Sequence, residues 1–275
     1  MRKSIVSAMA FGLALGASAT SEAQALKVVS TGLAAKMATE QLVVHSANLD
    51  RDMIIEVTRP FAPLLAGRKA PAVYVLDGGY EFAVLEGWLL GGSGGMESAF
   101  IVCVGYRPAD YAKRDADLMT GPFRRGDRVE AGRALAFRAF LIGELRPLVE
   151  ARYAVDPSKA VLVGHSAGGS FAALLFADQP EAFSSYVIGS PAVKNEPDLL
   201  ARLAAVKPGR ERIFVAAGGN EGEEMTEDAA QVASALKSHP SLSVRSQVFP
   251  GATHLSYYPQ LIAEGLAYVL PPKVP

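Results

Sequence analysis

The chain has 275 residues, 50% of them hydrophobic and 20% charged, with 27 Lys and Arg against 28 Asp and Glu. A formal net charge of −1 gives no electrostatic argument for nucleic acid or an anionic membrane as partner. Cys103 is the single cysteine, which excludes an intrachain disulfide.

Arg2-Lys3 precede an apolar, uncharged run from Ile5 to Ala19. Ala23-Gln24-Ala25 then carries the small-x-small pattern of a signal-peptidase site. Residues 1–25 are therefore expected to be a signal peptide and residues 26–275 a single domain; Ala17-Ser18-Ala19 offers a second cleavage site. The apolar run is too short for a comfortable membrane span, and no stable membrane insertion of the mature chain is expected. Export without a disulfide points to a bacterial periplasm, or to secretion.

Gln41–Ser46 and Asp52–Thr58 read as two strands joined by a polar turn, an antiparallel hairpin at a sheet edge. Pro71–Leu76 is a continuous apolar run ending in Asp77-Gly78-Gly79, as suits a strand covered on both faces. Phe82–Leu90 is predicted helical and Ala99–Val104 a buried strand holding Cys103 as an inert thiol. Residues 107–129 alternate arginines and lysine with aspartates and read as a long excursion outside the core. A helix is predicted over Gly132–Tyr153, kinked or divided by Pro147.

Ala160–Val163 is a further buried strand, followed by Gly164-His165-Ser166-Ala167-Gly168 and the small-residue helical run Gly169–Phe176. Strand, G-x-S-x-G, helix is the context of a serine nucleophile held at a sharp, strained turn. Strands at Tyr186–Ile188, Arg212–Ala217 and Ser243–Phe249 then alternate with helices near 199–206, 227–237 and 258–270. This alternation predicts an α/β fold with a mostly parallel central sheet, helices on both faces and the N-terminal antiparallel hairpin, and the serine turn within it resembles that of the α/β-hydrolase fold. Functional residues are expected at the carboxyl ends of the strands.

The serine hydroxyl needs a base, and the chain has four histidines. His165 adjoins Ser166 and flanks the pocket, His45 suits a cross-strand role, and His239 lies in a polar turn. His254 follows the last strand and fits the chain order Ser, acid, His. The acid is expected after Ile213–Ala217; Glu221 stands first there, with Glu223, Glu224 and Asp228 as alternatives and a Ser-His dyad also open. One oxyanion donor is the amide of Ala167; the other comes from the Asp77-Gly78-Gly79-Tyr80 loop, with Gly79 preferred over Gly78 and Tyr80. Arg107, assisted by Arg114 or Arg124, reads either as a contact for an anionic or catecholate substrate or as a partner of the neighbouring aspartates. Tyr80 and Phe82 could wall an aromatic pocket, with Trp88 in helix core. No metal-ligand spacing is present, and no cofactor is expected.

Several stretches carry a family resemblance: Tyr74–Gly79, Phe140–Glu150, Tyr153–Pro157, Gly164–Gly169, Phe183–Tyr186, Gly189-Ser190-Pro191 and Gly251–His254. Together they resemble the putative esterase family, which includes esterase D-like and siderophore esterases, over residues 38–270. The segment after Gly105-Tyr106-Arg107 is most similar to the periplasmic siderophore-esterase branch. The resemblance implies hydrolysis of carboxylic esters through an acyl-enzyme, without a cofactor, and the substrate is expected to be a small or siderophore-like ester. It also implies weak or absent use of the third triad member, which leaves Glu221 open. Acyl transfer on the same fold and a non-catalytic ligand-binding protein are the other readings.

Overall fold

The computed structural model describes residues 39–60, 64–77, 98–125 and 127–271. The expected signal peptide lies outside them, as do Gly78, Gly79, Tyr80, Phe82 and Trp88.

β1 (Thr39–Ser46) and β2 (Arg51–Thr58) form the predicted antiparallel hairpin. The cross-strand role expected of His45 is seen directly, since it sits opposite Asp52 and bonds to it at 3.0 Å. β3 (Ala70–Leu76) and β4 (Phe100–Tyr106) are parallel to each other, and β2 pairs antiparallel with β4. β5 (Phe123–Arg125) and β6 (Arg128–Glu130) make a small separate hairpin. β7 (Val155–His165), β8 (Ser185–Gly189), β9 (Arg212–Gly218) and β10 (Ser243–Phe249) extend the parallel part. The eight strands of the main sheet lie in the order β1-β2-β4-β3-β7-β8-β9-β10.

The all-apolar central strands are explained by cores on both faces. Along β3, Tyr74 and Leu76 enter one core while Val73 and Val75 enter the other. The first core takes residues of α2, which begins as Ala134–Phe140, passes through a π-helical turn at Leu141–Leu145 and ends as Arg146–Arg152. Pro147 cannot donate a hydrogen bond, and its ring crowds the carbonyl four residues back. The wide turn just before it absorbs this, so the helix continues instead of dividing. α3 (Ala167–Asp178), α4 (Leu199–Ala205) and α5 (Glu223–Lys237) contribute to the same core. α6 (Tyr258–Val269) covers the opposite face through Leu261, Ile262 and Leu266.

Residues 107–129 correct one expectation. Their short helix α1 (Arg114–Leu118) sinks Ala116, Asp117 and Leu118 into the interior, so part of this segment is core. The period-2 alternation of β2 turns Arg51 inward beside Met53, Ile55 and Val57. There its guanidinium forms an ion pair with Asp117, their side chains 5% and 0% exposed, and lies 5.9 Å from the Tyr106 ring centroid. A sequence reads such residues as surface because burying a charge is costly unless its partner is buried with it. His239 also departs from the solvated turn expected of it, with Nε2 2.7 Å from the Leu203 carbonyl oxygen.

Candidate active site

Ser166 is the single residue between the end of β7 and the start of α3, with φ 58° and ψ −125°. A non-glycine residue there is strained and must be held by its surroundings. Its amide donates to the Gly189 carbonyl at 2.9 Å, and its own carbonyl accepts from the Ser170 amide at 3.0 Å. A Cβ on Gly164 would lie 2.0 Å from the Gly168 carbonyl oxygen, so strand and helix cross here only without a side chain. Ala167 opens α3, where the first-turn amides have no partner within the helix.

The loops after β9 and β10 are bound to each other. Gly219 donates to the Phe249 carbonyl at 2.8 Å, Asn220 to the Ala252 carbonyl at 2.9 Å, and the Asn220 side chain to Gly251 at 3.1 Å. This brings Glu221 Oε2 to 2.6 Å from His254 Nδ1. The Glu221 side chain is 1% exposed and that of His254 37%. Glu221 Oε1 accepts the Gly218 amide at 2.5 Å and the Ser190 hydroxyl at 2.8 Å. Burial works to raise the Glu221 pKa, but the bonds from His254, Gly218 and Ser190 outweigh it and hold the carboxyl below its ordinary range. A carboxylate accepting at Nδ1 places the imidazole proton there and leaves Nε2 as the basic nitrogen. Of the four acids considered, Glu221 is therefore the one bonded to His254. Glu224 pairs with Lys194 at 2.9 Å, Asp228 accepts the Val193 amide at 2.8 Å, and Glu223 sits in the first turn of α5.

The structure places His165 beneath His254, not on the surface expected of a substrate contact. It is 3% exposed, and the two rings lie 4.5 Å apart. Tyr257 and Tyr258 meet His165 edge-on, each at 5.5 Å. Burial, together with the adjacent His254, pushes the His165 pKa down to about 3, so the ring is a neutral support at pH 7.

The arginines divide. Arg107, its side chain half exposed, pairs with Asp52 at 3.1 Å. Arg114 engages both carboxylate oxygens of Asp77, with 2.5 Å for the Nη2 bond, and also bonds Asp115 at 2.9 Å. Burial opposes the charge of Arg114, but the Asp77 bonds raise its pKa above the ordinary value. Arg114 is thus committed to the loop that the sequence offers for the second oxyanion donor. Asp77 itself has φ 64°, and its Oδ2 lies 3.3 Å from where a Gly168 Cβ would stand. Gly79 and Tyr80 follow it outside the described residues, as does the Arg124 side chain. An open cavity of about 450 Å³ is lined by Tyr111, Ala112, Arg114 and Asp115. Among the described residues, no group of three or more His, Cys, Asp or Glu is placed to hold a metal ion.

Ser190 and Tyr257 adjoin this site, and residue type and spacing alone assign neither of them a role. The available signal was a serine at the carboxyl end of a parallel strand, where function concentrates in such sheets.

A sequence model of the family described as "Putative esterase" matches residues 46–267. The chain belongs to that family. This esterase is 26% identical over 264 residues to the ferri-bacillibactin esterase BesA of Bacillus subtilis, covering 86% of this chain and 91% of that one. Its fold is shared with the BES protein from Bacillus cereus, at a TM-score of 0.72 and 24% identity over 89% of this chain and 98% of that one. An IroE-like serine hydrolase from Shewanella oneidensis superimposes at a TM-score of 0.74 and 21% identity, covering 84% and 79%. The chain's own sheet and N-terminal hairpin, with the likeness to these neighbours, match the α/β-hydrolase architecture expected from the sequence. No helix among the described residues is long and apolar enough to cross a membrane.

Proposed function

We propose that this esterase hydrolyses siderophore-like carboxylic esters with Ser166 as nucleophile, His254 as base and Glu221 as the acid that orients it. The observation that carries the reading is the 2.6 Å contact of a buried carboxylate with His254, whose ring lies over the residue next to a strained serine. His254 Nε2 takes the Ser166 proton as Oγ attacks the ester carbonyl, forming the C–O bond of a tetrahedral intermediate. The amides of Ala167 and Gly79 receive the oxyanion, each such donor contributing about 3–4 kcal/mol in comparable sites. The intermediate collapses with loss of the alcohol, which takes the proton from His254. Water then enters by the same base and releases the acid.

The siderophore assignment rests on the likeness to an esterase named for ferri-bacillibactin. Arg107, with Asp52 as its partner, is the cation we assign to an anionic or catecholate group, and Tyr80 an aromatic contact. Residues 1–25 are proposed as an export signal, so mass spectrometry of protein recovered from a periplasmic fraction should find Leu26 as the first residue.

The test is hydrolysis of p-nitrophenyl acetate and butyrate by residues 26–275, beside Ser166→Ala and His254→Ala. Loss of turnover by about 10⁴-fold or more in both is expected. A wild type no faster than these variants would overturn the reading. Catecholate siderophore esters follow as substrates, with Arg107→Ala raising KM.

A further inference from the structure

Ser190 and Tyr257 lie behind the carboxylate, and their arrangement defines where their protons go. The Ser190 hydroxyl has one proton, and it is donated to Glu221 Oε1 at 2.8 Å. The Tyr257 hydroxyl stands 2.5 Å from Ser190 Oγ and 3.5 Å from the Ala216 carbonyl oxygen; with the Ser190 proton committed to Glu221, Tyr257 is the donor of the shorter contact. Both residues are sealed from solvent, each at 0% exposure. Ser190 is held with φ 44°, a strained conformation for a residue with a Cβ, and its amide is tied to the Ala216 carbonyl at 2.8 Å. Strain kept at a buried polar residue whose one proton points at the acid fits a function better than packing.

We propose that Tyr257 and Ser190 form a positioning relay that fixes Glu221, and through it the tautomer and basicity of His254, resting on the catalytic reading given above. The chain runs Tyr257 Oη–H to Ser190 Oγ, Ser190 Oγ–H to Glu221 Oε1, and His254 Nδ1–H to Glu221 Oε2. It joins the ends of β8 and β9 to the two loops that carry the acid and the base. Ser190 follows Gly189, whose carbonyl accepts the Ser166 amide, so the relay and the nucleophile share one backbone anchor. Tyr257 also faces His165 edge-on at 5.5 Å and lies against Phe249 at 5.7 Å, which fixes its ring independently of its hydroxyl. The titratable groups facing the cluster are His254, His165, Tyr257 and Tyr258, with the charge of Arg114 felt at His165.

The role makes a signed prediction. A donor withdrawn from Oε1 leaves more negative charge on Oε2, which favours the imidazolium of His254. The acid limb of the kcat/KM profile should therefore move to higher pH, by about half a unit in Ser190→Ala and less in Tyr257→Phe. kcat should fall roughly tenfold and about threefold respectively, with KM within about twofold of wild type. Both variants keep the local shape: alanine retains the Cβ, and phenylalanine retains the ring.

The experiment is the pH profile of p-nitrophenyl acetate hydrolysis by wild type, Ser190→Ala and Tyr257→Phe. Each change is repeated in a Glu221→Gln background, and the His254 Nδ1 proton is followed by NMR. The relay predicts a displaced acid limb and a shifted Nδ1 resonance in the single variants, and no further effect once Glu221 is neutralised. Equal losses with and without Glu221, or an unmoved acid limb and Nδ1 resonance in Tyr257→Phe, would overturn it. Should Ser190→Ala fail to fold, Tyr257→Phe carries the same decision. A wild type without serine-dependent turnover would instead overturn the parent reading.

Discussion

Two polar clusters flank the serine turn, and they are built on opposite principles. The one at β8, β9 and β10 gathers Glu221, His254, Ser190 and Tyr257 from the ends of successive strands. The one between β2, β4 and the 107–129 segment joins Arg51 to Asp117, Arg114 to Asp77 and Arg107 to Asp52 across long stretches of chain. The first presents one partly exposed ring, His254, above buried supports. The second sinks two ion pairs and leaves Arg107 at the surface. A parallel sheet delivers its loops to one edge in a fixed order, so chemistry collected there follows chain order. Ion pairs between distant segments obey no such rule. They are fixed by which faces happen to be buried, and they are kept because each charge, once buried, needs its partner.

The sharpest way to break this comparison is to remove the acid. Glu221→Ala should lower kcat by about a thousandfold with little change in KM, whereas Glu224→Ala, which loses only a surface pair, should stay near wild type. If kinetics of the two variants coincide, the first cluster is structural, and His254 works in a dyad.

Next in size is the buried pair of the second cluster. Arg51→Met leaves Asp117 buried and unpaired and should cost about 3–5 kcal/mol in urea unfolding. Adding Asp117→Leu should recover much of that, because the desolvation cost disappears with the charge. A single variant as stable as wild type would show that this pair holds nothing in place.

His165 supplies a pH-dependent contrast. Its folded pKa, about 3, lies below the ordinary 6.5, so only the unfolded chain takes up its proton between those values. Stability should fall as pH drops from 6.5 towards 3, by at most about 1.4 kcal/mol per pH unit from this residue. Glu221 acts in the same direction, since its depressed pKa stabilises the fold above the unfolded value and loses that effect on acidification. Urea midpoints across this window should show a shallower decline in His165→Phe; parallel declines would remove His165 from the account.

The smallest effect is expected at Arg107. Its pair with Asp52 is partly exposed, so Arg107→Ala should leave the urea midpoint unmoved. A rise in KM for a catecholate ester with unchanged kcat would separate a substrate contact from a plain surface ion pair.

By itself the sequence determined the sheet, the hairpin, the turn at Ser166 and the place of His254. These follow from local periodicity, from glycines at a crossing where a Cβ would collide, and from the order in which a parallel sheet presents its loops. It placed Glu221 first among four acids without deciding between them. Only the tertiary structure shows which carboxylate bonds His254, because the β9 and β10 loops must bind each other before one of them reaches it. Tertiary structure likewise moved His165 from pocket flank to buried support, drew α1 into the core through Asp117, and committed Arg114 to Asp77. In each case the outcome depends on which side of a strand or loop is sealed from water. Residue spacing cannot report that, since desolvation is a property of neighbours brought together only by the fold.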